Sequence, residues 1–282
     1  MLQKFNNLKL RTKLLLSICS VTLIAFSVTI FYIGFHNERI AEREALNFAR
    51  ESSFRYANQV QMELNNAMDT AHTIAKAFEG MKQQGLPPRD MMDGILKQVL
   101  VDNPGFLAVW TCWEPNALDG KDSDFIDAFG HDETGRYVPY WNRLYGEIDV
   151  EPLVDYTVKG KGDYYLEPLK SNQEFIFEPT AYTVDDKTGM KTTLSVPIQF
   201  ANRTVAVVGI DLPVEALAPI VQQVKLFGSG YGFLVSHEAN LVAHGTNSSL
   251  VGQPMDKFNF SQETINAVKS GQEATQELVS EV

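Results

Sequence analysis

An uncharged apolar run near the N-terminus constrains this chain more than any other feature. From Leu14 to Phe35 the sequence LLLSICSVTLIAFSVTIFYIGF contains no charged residue. About 20 apolar residues at helical rise are enough to span the hydrocarbon core of a bilayer. The first acidic residue is Glu38, and the run is preceded by four basic residues, Lys4, Lys9, Arg11 and Lys13. Basic residues on this flank place the N-terminal end in the cytoplasm.

A cleaved signal peptide is the alternative interpretation of this run. The apolar part of a signal peptide is usually about 7–15 residues long. The segment AFS, Ala25–Ser27, which resembles a cleavage site, lies inside the run rather than after it. We therefore predict an uncleaved anchor in the cell inner membrane, with a cytoplasmic tail over residues 1–13 and a transmembrane helix over residues 14–35. Everything from His36 onward then lies in the periplasm or otherwise outside.

The segment after the membrane run is predicted to form a long exterior helix over residues 36–83. Between residues 37 and 82 there is no proline, and Gly80 is the only glycine. Apolar residues recur at spacings of three and four, which gives one stripe along a helix: Val60, Leu64, Ala67, Ala71, Ile74 and Phe78. Such a stripe packs either along the partner helix of a homodimer or on the helix's own domain, and both can hold.

After residue 84 the pattern changes from helical to strand-like. A short helix is predicted between two breaks, and the segments that follow are rich in aromatic and β-branched residues, as strands are: Phe106–Trp113, Arg136–Trp141, Glu174–Thr183, Met190–Phe200 and Thr204–Leu212. The polar segments Asp185–Gly189 and Ala201–Arg203 fit hairpin loops. We expect a first unit over residues 84–224, with a helix that starts at Pro213.

A second, truncated unit is predicted over residues 225–282. Tyr231–Ser236 and Leu241–His244 flank a short polar turn, as the strands of a hairpin do, and Ser261 precedes a capped helix. No second apolar span and no cytoplasmic module follow. We expect the 282 residues to be an N-terminal fragment of a two-pass membrane protein.

Charge and motif content exclude several classes of function. The chain has 24 Lys and Arg residues against 35 Asp and Glu residues, with a formal charge of -11. An acidic surface repels a polyanion, so no nucleic-acid partner is predicted. Because HExxH, GxSxG and GxxxxGK[ST] are absent, we predict no catalytic residue, no cofactor and no enzyme activity. The acidic segment Asn116–Asp124 does not follow the EF-hand spacing, so a solvated turn is predicted there rather than a metal site.

Aromatic residues concentrate in the first exterior unit, next to charged residues. The segment RYVPYWNR, Arg136–Arg143, places three rings between two arginines. Rings with a few convergent charges form the usual lining of a small-molecule pocket. An aromatic cage with a carboxylate suits an ammonium group, through cation–π attraction and a charged hydrogen bond. For each of these rings, burial in the hydrophobic core is the alternative to ligand contact.

The order of these elements resembles a known family. The basic tail, the membrane helix, the long exterior helix and the segments GRYVPYWNR, GDYYLEP, EPTAYTVDDKTG and VAVVGIDL together resemble the double-Cache (dCache) sensor domain of bacterial methyl-accepting chemotaxis receptors. The resemblance implies an α+β fold with two stacked PAS-like Cache units on the long helix. It also implies that the membrane-distal unit binds the ligand.

The resemblance also implies individual ligand contacts. Amino-acid-sensing members hold the carboxylate with an Arg-x-Trp-Tyr motif, and here Tyr164 and Tyr165 match the Trp-Tyr positions, while the arginine position falls on Gly162 or Lys161. The Tyr-x-Asp element that holds the amino group is altered and leaves Tyr182 and Asp185 as its nearest matches, and the later aspartate matches Asp211. The predicted ligand-binding residues are therefore Trp110, Tyr140, Trp141, Arg143, Tyr164, Tyr165, Tyr182, Asp185 and Asp211. Asp211 has a second interpretation, as the cap of the helix that starts at Pro213.

The altered motif favours an amine, a quaternary ammonium compound or a purine-like molecule over an ordinary α-amino acid. A carboxylate held by Arg136, Arg143 or Lys161 is the alternative. The predicted function is small-molecule sensing by a homodimeric transmembrane chemoreceptor that controls chemotaxis through cytoplasmic signalling partners. The same type of ectodomain also occurs in sensor histidine kinases and cyclic-dinucleotide enzymes, which are the alternative outputs.

Overall fold

The computed structural model describes residues 9–85, 89–184 and 187–276. By its internal contacts the chain separates into two units, residues 1–55 and residues 56–282. The described residues of the first unit from Leu10 onward form the N-terminal part of one long helix. The second contains the rest of that helix, the sheets and the remaining helices.

The first element, α1, runs without interruption over Leu10–Gln83 and contains both the predicted membrane segment and the predicted exterior helix. It is the one helix among the described residues that is long and apolar enough to cross a membrane, with a mean hydropathy of 2.4 over its most apolar window. Within the apolar run, the hydroxyls of Ser20, Thr22 and Thr29 donate to backbone carbonyls one turn earlier at 2.6, 2.8 and 2.8 Å. These polar side chains are therefore satisfied inside the helix, as hydrocarbon surroundings require.

The apolar stripe of α1 packs on its own unit. Five of its six residues are buried, the sixth is partly buried, and all six belong to the main hydrophobic core: Val60, Leu64, Ala67, Ala71, Ile74 and Phe78. The core also contains Met92, Leu96 and Leu100 of α2, Arg89–Asp102. Of the two roles open to the stripe, the structure shows packing within the chain. The stripe therefore gives no support to a homodimer, which stays a prediction.

The centre of the second unit is a seven-stranded antiparallel sheet. Its strands are β1 Ala108–Trp113, β2 Pro139–Asn142, β3 Asp149–Pro152, β4 Phe175–Ile176, β5 Thr180–Val184, β6 Lys187–Phe200 and β7 Arg203–Pro213. The order is β3-β2-β1-β7-β6-β4, and β5 also pairs with β6. Ala201 and Asn202 join β6 to β7 with φ values of 49° and 66°, which is the left-handed turn that suits a tight hairpin. The predicted α+β class and the main strands are confirmed.

Alternate residues of this sheet face two different cores, because successive side chains in a strand point to opposite faces. Val109 and Ile210 belong to the core that contains α1 and α2. Ala108 and Val207 belong to a second cluster, which includes Tyr165 of α3, Asp163–Ser171. The cavity described below lies on this second face.

The acidic segment after β1 is not a solvated turn. Asp122 is buried, and Asp119 and Asp122 both accept hydrogen bonds from the guanidinium of Arg89, at 2.6 and 2.7 Å. The guanidinium also lies 4.1 Å from the ring centroid of Phe125. The carboxylates of this segment therefore fasten the start of α2 to the loop.

The C-terminal part of the chain holds small elements. They are α4 Ala218–Gln222, β8 Lys225–Leu226, β9 Gly230–Tyr231, β10 Phe233–Val235, β11 Leu241–His244 and α5 Gln262–Lys269. The predicted hairpin forms as β10 and β11, and Ser261 Oγ accepts the Thr264 N–H at 3.1 Å as the cap of α5. The helix expected from Pro213 is shorter than predicted, because it is divided into a 3₁₀ turn, Val214–Ala216, and α4. The division into units at residue 225 stays a prediction.

Candidate ligand-binding site

A cavity of about 550 Å³ opens on the second face of the sheet. That volume lies in the range typical of small-molecule pockets. Residues from β1, β2, β3, β5, β6, β7 and α3 line it, including the rings of Trp110, Tyr140, Tyr164, Phe177 and Tyr182. The cavity therefore combines aromatic walls with charged groups.

Asp211 is the most buried charged residue of this cavity, with 1% of its surface exposed. Its Oδ2 accepts the Tyr140 hydroxyl at 2.8 Å and forms an ion pair with the ammonium of Lys191. Its Oδ1 accepts Thr193 Oγ1 at 2.7 Å and Trp110 Nε1 at 3.4 Å. These four donors offset the unfavourable burial of the carboxylate.

The strand register brings these side chains together. Thr193 of β6 lies directly opposite Asp211 of β7, and Lys191 is two residues away on the same face. On the other side of β7, Trp110 of β1 pairs with Gly209, and it also pairs with Tyr140 of β2. Four neighbouring strands thus contribute to one polar group.

Gly209 makes room for the indole of Trp110. A Cβ at this position would lie 2.0 Å from Cζ2 of Trp110, far inside contact distance. Gly189 has the same relation to Tyr182, whose ring would be 2.6 Å from an added Cβ. Two walls of the cavity therefore depend on a missing side chain in the neighbouring strand.

Tyr164 and Tyr140 present neutral hydroxyl groups. The ring of Tyr164 lies edge-on to Trp110 at a centroid distance of 5.1 Å, and its hydroxyl donates to the Val154 carbonyl at 3.1 Å. Burial, with the Asp211 carboxylate as a further cause, raises the pKa of Tyr140 well above its usual value, and burial likewise raises the pKa of Tyr164. Both residues are thus hydrogen-bond donors at neutral pH.

Trp141 does not reach the cavity. It is the neighbour of Tyr140 in β2, so its side chain points to the opposite face of the sheet. There it packs against the main core, and Nε1 donates to Asp93 Oδ1 at 3.1 Å. The inclusion of both residues in one cage overlooked this alternation.

Arg143 and Tyr165 also lie away from the cavity. The guanidinium of Arg143 donates to the carbonyl of Leu100, in the last turn of α2, and to that of Asn103, just beyond the helix. This is a common way to cap a helix C-terminus. The hydroxyl of Tyr165 contacts Glu114 and the guanidinium of Arg136, which is itself buried. The arginines of the RYVPYWNR segment therefore hold the domain together and do not line this cavity.

The other predicted residues have definite places. Trp110, Tyr140, Tyr164, Tyr182 and Asp211 line the cavity, whereas Asp185 lies outside the described residues. The cap interpretation of Asp211 is wrong, because Pro213 occupies the cap position of the following 3₁₀ turn and no side chain caps it.

Several lining residues were not singled out from the sequence. Lys191, Thr193 and Glu178 are the important ones, and Lys161, considered only as a possible carboxylate partner, also lines the cavity. The signal for Lys191 and Thr193 was present, because KTT in the strand paired with GID places two polar residues on the face of Asp211. The ion pair with Asp155, at 2.8 Å, raises the pKa of Lys161.

The cavity lining carries more negatively than positively charged side chains. It contains two lysines, Lys161 and Lys191, and five carboxylates, Glu151, Asp155, Asp163, Glu178 and Asp211. An excess of carboxylates raises the local concentration of cations. Among the described residues, no group of His, Cys, Asp and Glu could hold a metal ion.

Comparison with known proteins relates this arrangement to sensory domains. No family model matches the chain. The methyl-accepting chemotaxis protein TlpQ of Pseudomonas aeruginosa is 25% identical over 186 residues, which are 60% of this chain and 26% of TlpQ. The extracellular domain of the histidine kinase mmHK1S-Z2 has a TM-score of 0.73 and 28% identity, over 81% of this chain and 84% of that domain. The chain is therefore similar to the sensory domains of chemoreceptors and histidine kinases.

The chain also shares its fold with the ligand-binding domains of more distant chemoreceptors. The ligand-binding domain of Pseudomonas aeruginosa PctC, solved with GABA, has a TM-score of 0.52 at 21% identity, over 75% of this chain and 80% of that one. The chain spans about a quarter of the length of TlpQ. With the apolar part of α1, these similarities indicate a sensory domain on the outer side of the inner membrane.

Proposed function

We propose that this chain senses a small organic cation and is the anchored sensor part of a chemoreceptor that controls chemotaxis. The ligand is an amine, a quaternary ammonium compound or a purine-like molecule. The observation that carries this proposal is Asp211, a buried carboxylate beside the rings of Trp110 and Tyr140 in a cavity with excess carboxylates. Carboxylates and aromatic faces both stabilise a bound ammonium group.

Lys191 acts as an internal stand-in for the ligand in this proposal. Its Nζ contacts Asp211, lies 3.3 Å from the Tyr140 hydroxyl and 5.2 Å from the Tyr140 ring centroid. These are the contacts that a ligand ammonium would make. An amine ligand therefore competes with Lys191 for the carboxylate.

A zwitterionic or carboxylate ligand is the second candidate, and the position of Lys191 favours it. If Lys191 stays on Asp211, its ammonium and that of Lys161 can bind a carboxylate. PctC in complex with GABA, and Campylobacter jejuni Tlp3 in complex with L-valine at 17% identity, are chemoreceptor domains of the same fold. The excess of carboxylates in the lining is the reason to place this candidate second.

The output and the assembly belong to the same proposal. Similarity to TlpQ supports a chemotaxis output, and similarity to a histidine kinase ectodomain supports the alternative of a kinase output. We propose that the receptor acts as a homodimer and signals to cytoplasmic partners by a small shift of α1. A coupling free energy of about 1–3 kcal/mol is enough for such signalling. No enzymatic step is included.

A thermal-shift screen of the full chain in detergent tests this function. The probes are n-butylamine, choline, adenine and GABA. A ligand at 100 times its dissociation constant stabilises the folded state by about 2.7 kcal/mol. Stabilisation by a cation or purine supports the proposal, and stabilisation by GABA alone favours the second candidate. If all four probes leave the melting temperature unchanged, the sensing proposal is contradicted.

A further inference from the structure

Arg136 lies outside the cavity, between two of the segments that form its walls. The residue is buried, with 6% of its surface exposed. Its guanidinium lies 4.8 Å from the ring centroid of Tyr156 and 5.2 Å from that of Tyr165. A cation is attracted to an aromatic ring within about 6 Å of its centroid. One cation therefore holds two rings that come from different segments of the chain.

The hydrogen bonds of the guanidinium fix its own position. Nε donates to the carbonyl of Trp113, and Nη2 donates to Glu114 Oε1 at 3.0 Å and to the Tyr165 hydroxyl. The Tyr165 hydroxyl in turn donates to Glu114 Oε1, so the three side chains form a closed triangle of hydrogen bonds. The planar fork of an arginine makes such a set of bonds, and the ammonium group of a lysine does not reproduce its geometry.

The first wall held by Arg136 is the strap, residues 153–162, which joins β3 to α3. Tyr156 attaches the strap to one turn of the domain twice, because its ring faces Arg136 and its hydroxyl donates to Asp132 Oδ2. Asp132 Oδ1 also accepts the Arg136 N–H at 3.1 Å. Five residues of the strap line the cavity: Leu153, Val154, Asp155, Gly160 and Lys161.

The second wall held by Arg136 is the start of α3. Tyr164 and Tyr165 are neighbours in this helix, so their side chains point about 100° apart around its axis. Tyr164 lines the cavity and lies edge-on to Trp110, whereas Tyr165 is buried against Arg136. The Tyr164 hydroxyl also donates to the Val154 carbonyl at 3.1 Å, which joins α3 to the strap.

We propose that Arg136 is a positioning residue of the ligand-binding site, which holds the strap and the start of α3 against the sheet so that the cavity keeps its shape for the ligand. This inference rests on the proposed function, since it assigns a residue to the same cavity. Arg136 touches no ligand and acts through Tyr156 and Tyr165. A site whose supporting side chains are loose binds its ligand more weakly.

Arg136→Lys and Arg89→Lys form a matched pair of variants. Arg89 is buried to a similar degree, with 4% exposed, and it also combines carboxylate partners with a ring, that of Phe125. Its contacts fasten the start of α2 to the loop after β1. Both variants lose buried hydrogen bonds, so urea unfolding should give a lower midpoint for each of them than for the wild-type chain.

Calorimetric titration of n-butylamine into the full chain in detergent micelles separates the two variants. We expect Arg136→Lys to bind about ten-fold more weakly than the wild-type chain, because small displacements of positioned groups are costly. Arg89→Lys should bind within about two-fold of the wild-type affinity, since the effects of distant sites are independent.

Hydrogen exchange shows where the structure loosens. The Gly162 N–H donates to the Val158 carbonyl at 2.7 Å, and the Tyr165 N–H donates to the Gly162 carbonyl at 2.9 Å. In Arg136→Lys these two amides should exchange about three-fold faster or more, because they exchange through local opening. Saturating n-butylamine should slow them again, since the ligand holds the walls from inside the cavity. In Arg89→Lys they should exchange at the wild-type rate.

Tyr156→Leu tests the same role if Arg136→Lys does not fold. It removes the ring and the hydroxyl of the strap, and it leaves the guanidinium with its other partners. We expect about three-fold weaker binding of n-butylamine, the scale of one cation–π contact, and faster exchange of the Gly162 amide. Tyr145→Leu, at a position that is 63% exposed, is the control and should match the wild-type chain in both measurements.

Two results for binding would overturn the inference. One is wild-type affinity in Arg136→Lys or, if that variant does not fold, in Tyr156→Leu. The other is an equal fall in affinity in Arg136→Lys and Arg89→Lys, because the effect would then be a general loosening of the domain.

Failure of the proposed function is distinguishable from failure of this inference. If the wild-type chain binds no n-butylamine, the proposed function fails, and the positioning role is judged by hydrogen exchange without ligand. Faster exchange of the Gly162 amide in Arg136→Lys than in Arg89→Lys then supports the role of Arg136 in holding the walls. Equal exchange in the two variants overturns it.

Discussion

The ammonium of Lys191 and the carboxylate of Asp211 form an ion pair between neighbouring strands, inside the cavity proposed to bind the ligand. Lys191 is partly exposed, with 22% of its side chain accessible, whereas 1% of Asp211 is accessible. The acid is therefore fixed in the sheet, and the lysine is the partner that can be displaced. This relationship makes Lys191 a competitor of a cationic ligand.

Replacing Lys191 separates the two candidate ligand classes. Lys191→Met removes the competing ammonium, so we expect the affinity for n-butylamine to rise, by up to about 1.5–3 kcal/mol, the range for one charged hydrogen bond. Affinity for GABA should fall if Lys191 binds its carboxylate. Calorimetric titration measures both. Weaker n-butylamine binding in this variant would contradict the competition.

The same variant should also be less stable without ligand. Asp211 loses a partner while it stays buried, which is unfavourable by about 1–3 kcal/mol. Lys161→Met is the control, because the Lys161–Asp155 pair is exposed and exposed ion pairs contribute little to stability. Urea unfolding of the two variants gives the comparison. Equal losses of stability would contradict the conclusion that Lys191 stabilises a buried Asp211 carboxylate.

Gly209 is predicted to be essential for the Trp110 wall. Gly209→Ala places a methyl group where the indole lies, and the displacement should destabilise the domain by about 1–3 kcal/mol and weaken binding. Gly94→Ala is the control, since Gly94 lies in α2 and an added Cβ would have no atom within 4 Å apart from its chain neighbours and the backbone of its own helix. It should raise helix stability by about 0.5–1 kcal/mol. Thermal unfolding with and without n-butylamine tests both, and an unaffected Gly209→Ala variant would refute the packing argument.

Two tryptophans one strand apart are expected to behave differently. Trp141→Phe removes the hydrogen bond to Asp93 and should lower stability by about 0.5–1.5 kcal/mol without a change in ligand affinity. Trp110→Phe removes the donor to Asp211 and should weaken binding of n-butylamine. Paired unfolding and titration measurements distinguish the roles. Loss of ligand affinity in Trp141→Phe would contradict the placement of Trp141 outside the ligand-binding cavity.

His131 should make the stability of the domain depend on pH. Burial lowers the pKa of His131, whose ring stacks on Phe125 at 5.0 Å. Below the unfolded pKa of about 6.5 the unfolded chain binds a proton that the folded chain does not. The free energy of unfolding therefore falls as pH decreases from about 6.5 towards the lowered folded pKa.

Urea unfolding at neutral and mildly acidic pH measures this effect. His131→Asn should lose less stability on acidification than the wild-type chain. His237→Asn, at an exposed position in the β10–β11 turn, is the control and should follow the wild type. Identical pH dependence of the wild-type chain and His131→Asn would contradict the role of His131.

The fold was largely predictable because its signals are periodic. The long helix is predicted by the uncharged run and by the stripe Val60–Phe78, and the strands are predicted by the β-branched segments. The structure confirms the helix and the main strands. The failure at Pro213 has a local cause. β7 continues through Pro213, and the residues after it first form a 3₁₀ turn.

The site was less predictable, because it depends on pairing between strands. Tyr140 and Trp141 were predicted to form one cage because both are aromatic and adjacent. Successive side chains of a strand point to opposite faces, so the two residues lie on different sides of the sheet. Lys191 and Thr193 became visible only through their register with Asp211. The charge of Arg143 would suit a ligand, but its guanidinium instead donates to a carbonyl at the C-terminal end of α2.

Calorimetric titration of n-butylamine into the wild-type chain and into Asp211→Asn tests the central claim most directly. The substitution keeps the shape and removes the charge, so a cationic ligand should bind more weakly by about 1.5–3 kcal/mol. Circular dichroism confirms that both proteins are folded at the titration temperature. If n-butylamine binds the wild-type chain and Asp211→Asn with the same affinity, the claim that Asp211 recognises a cation is wrong.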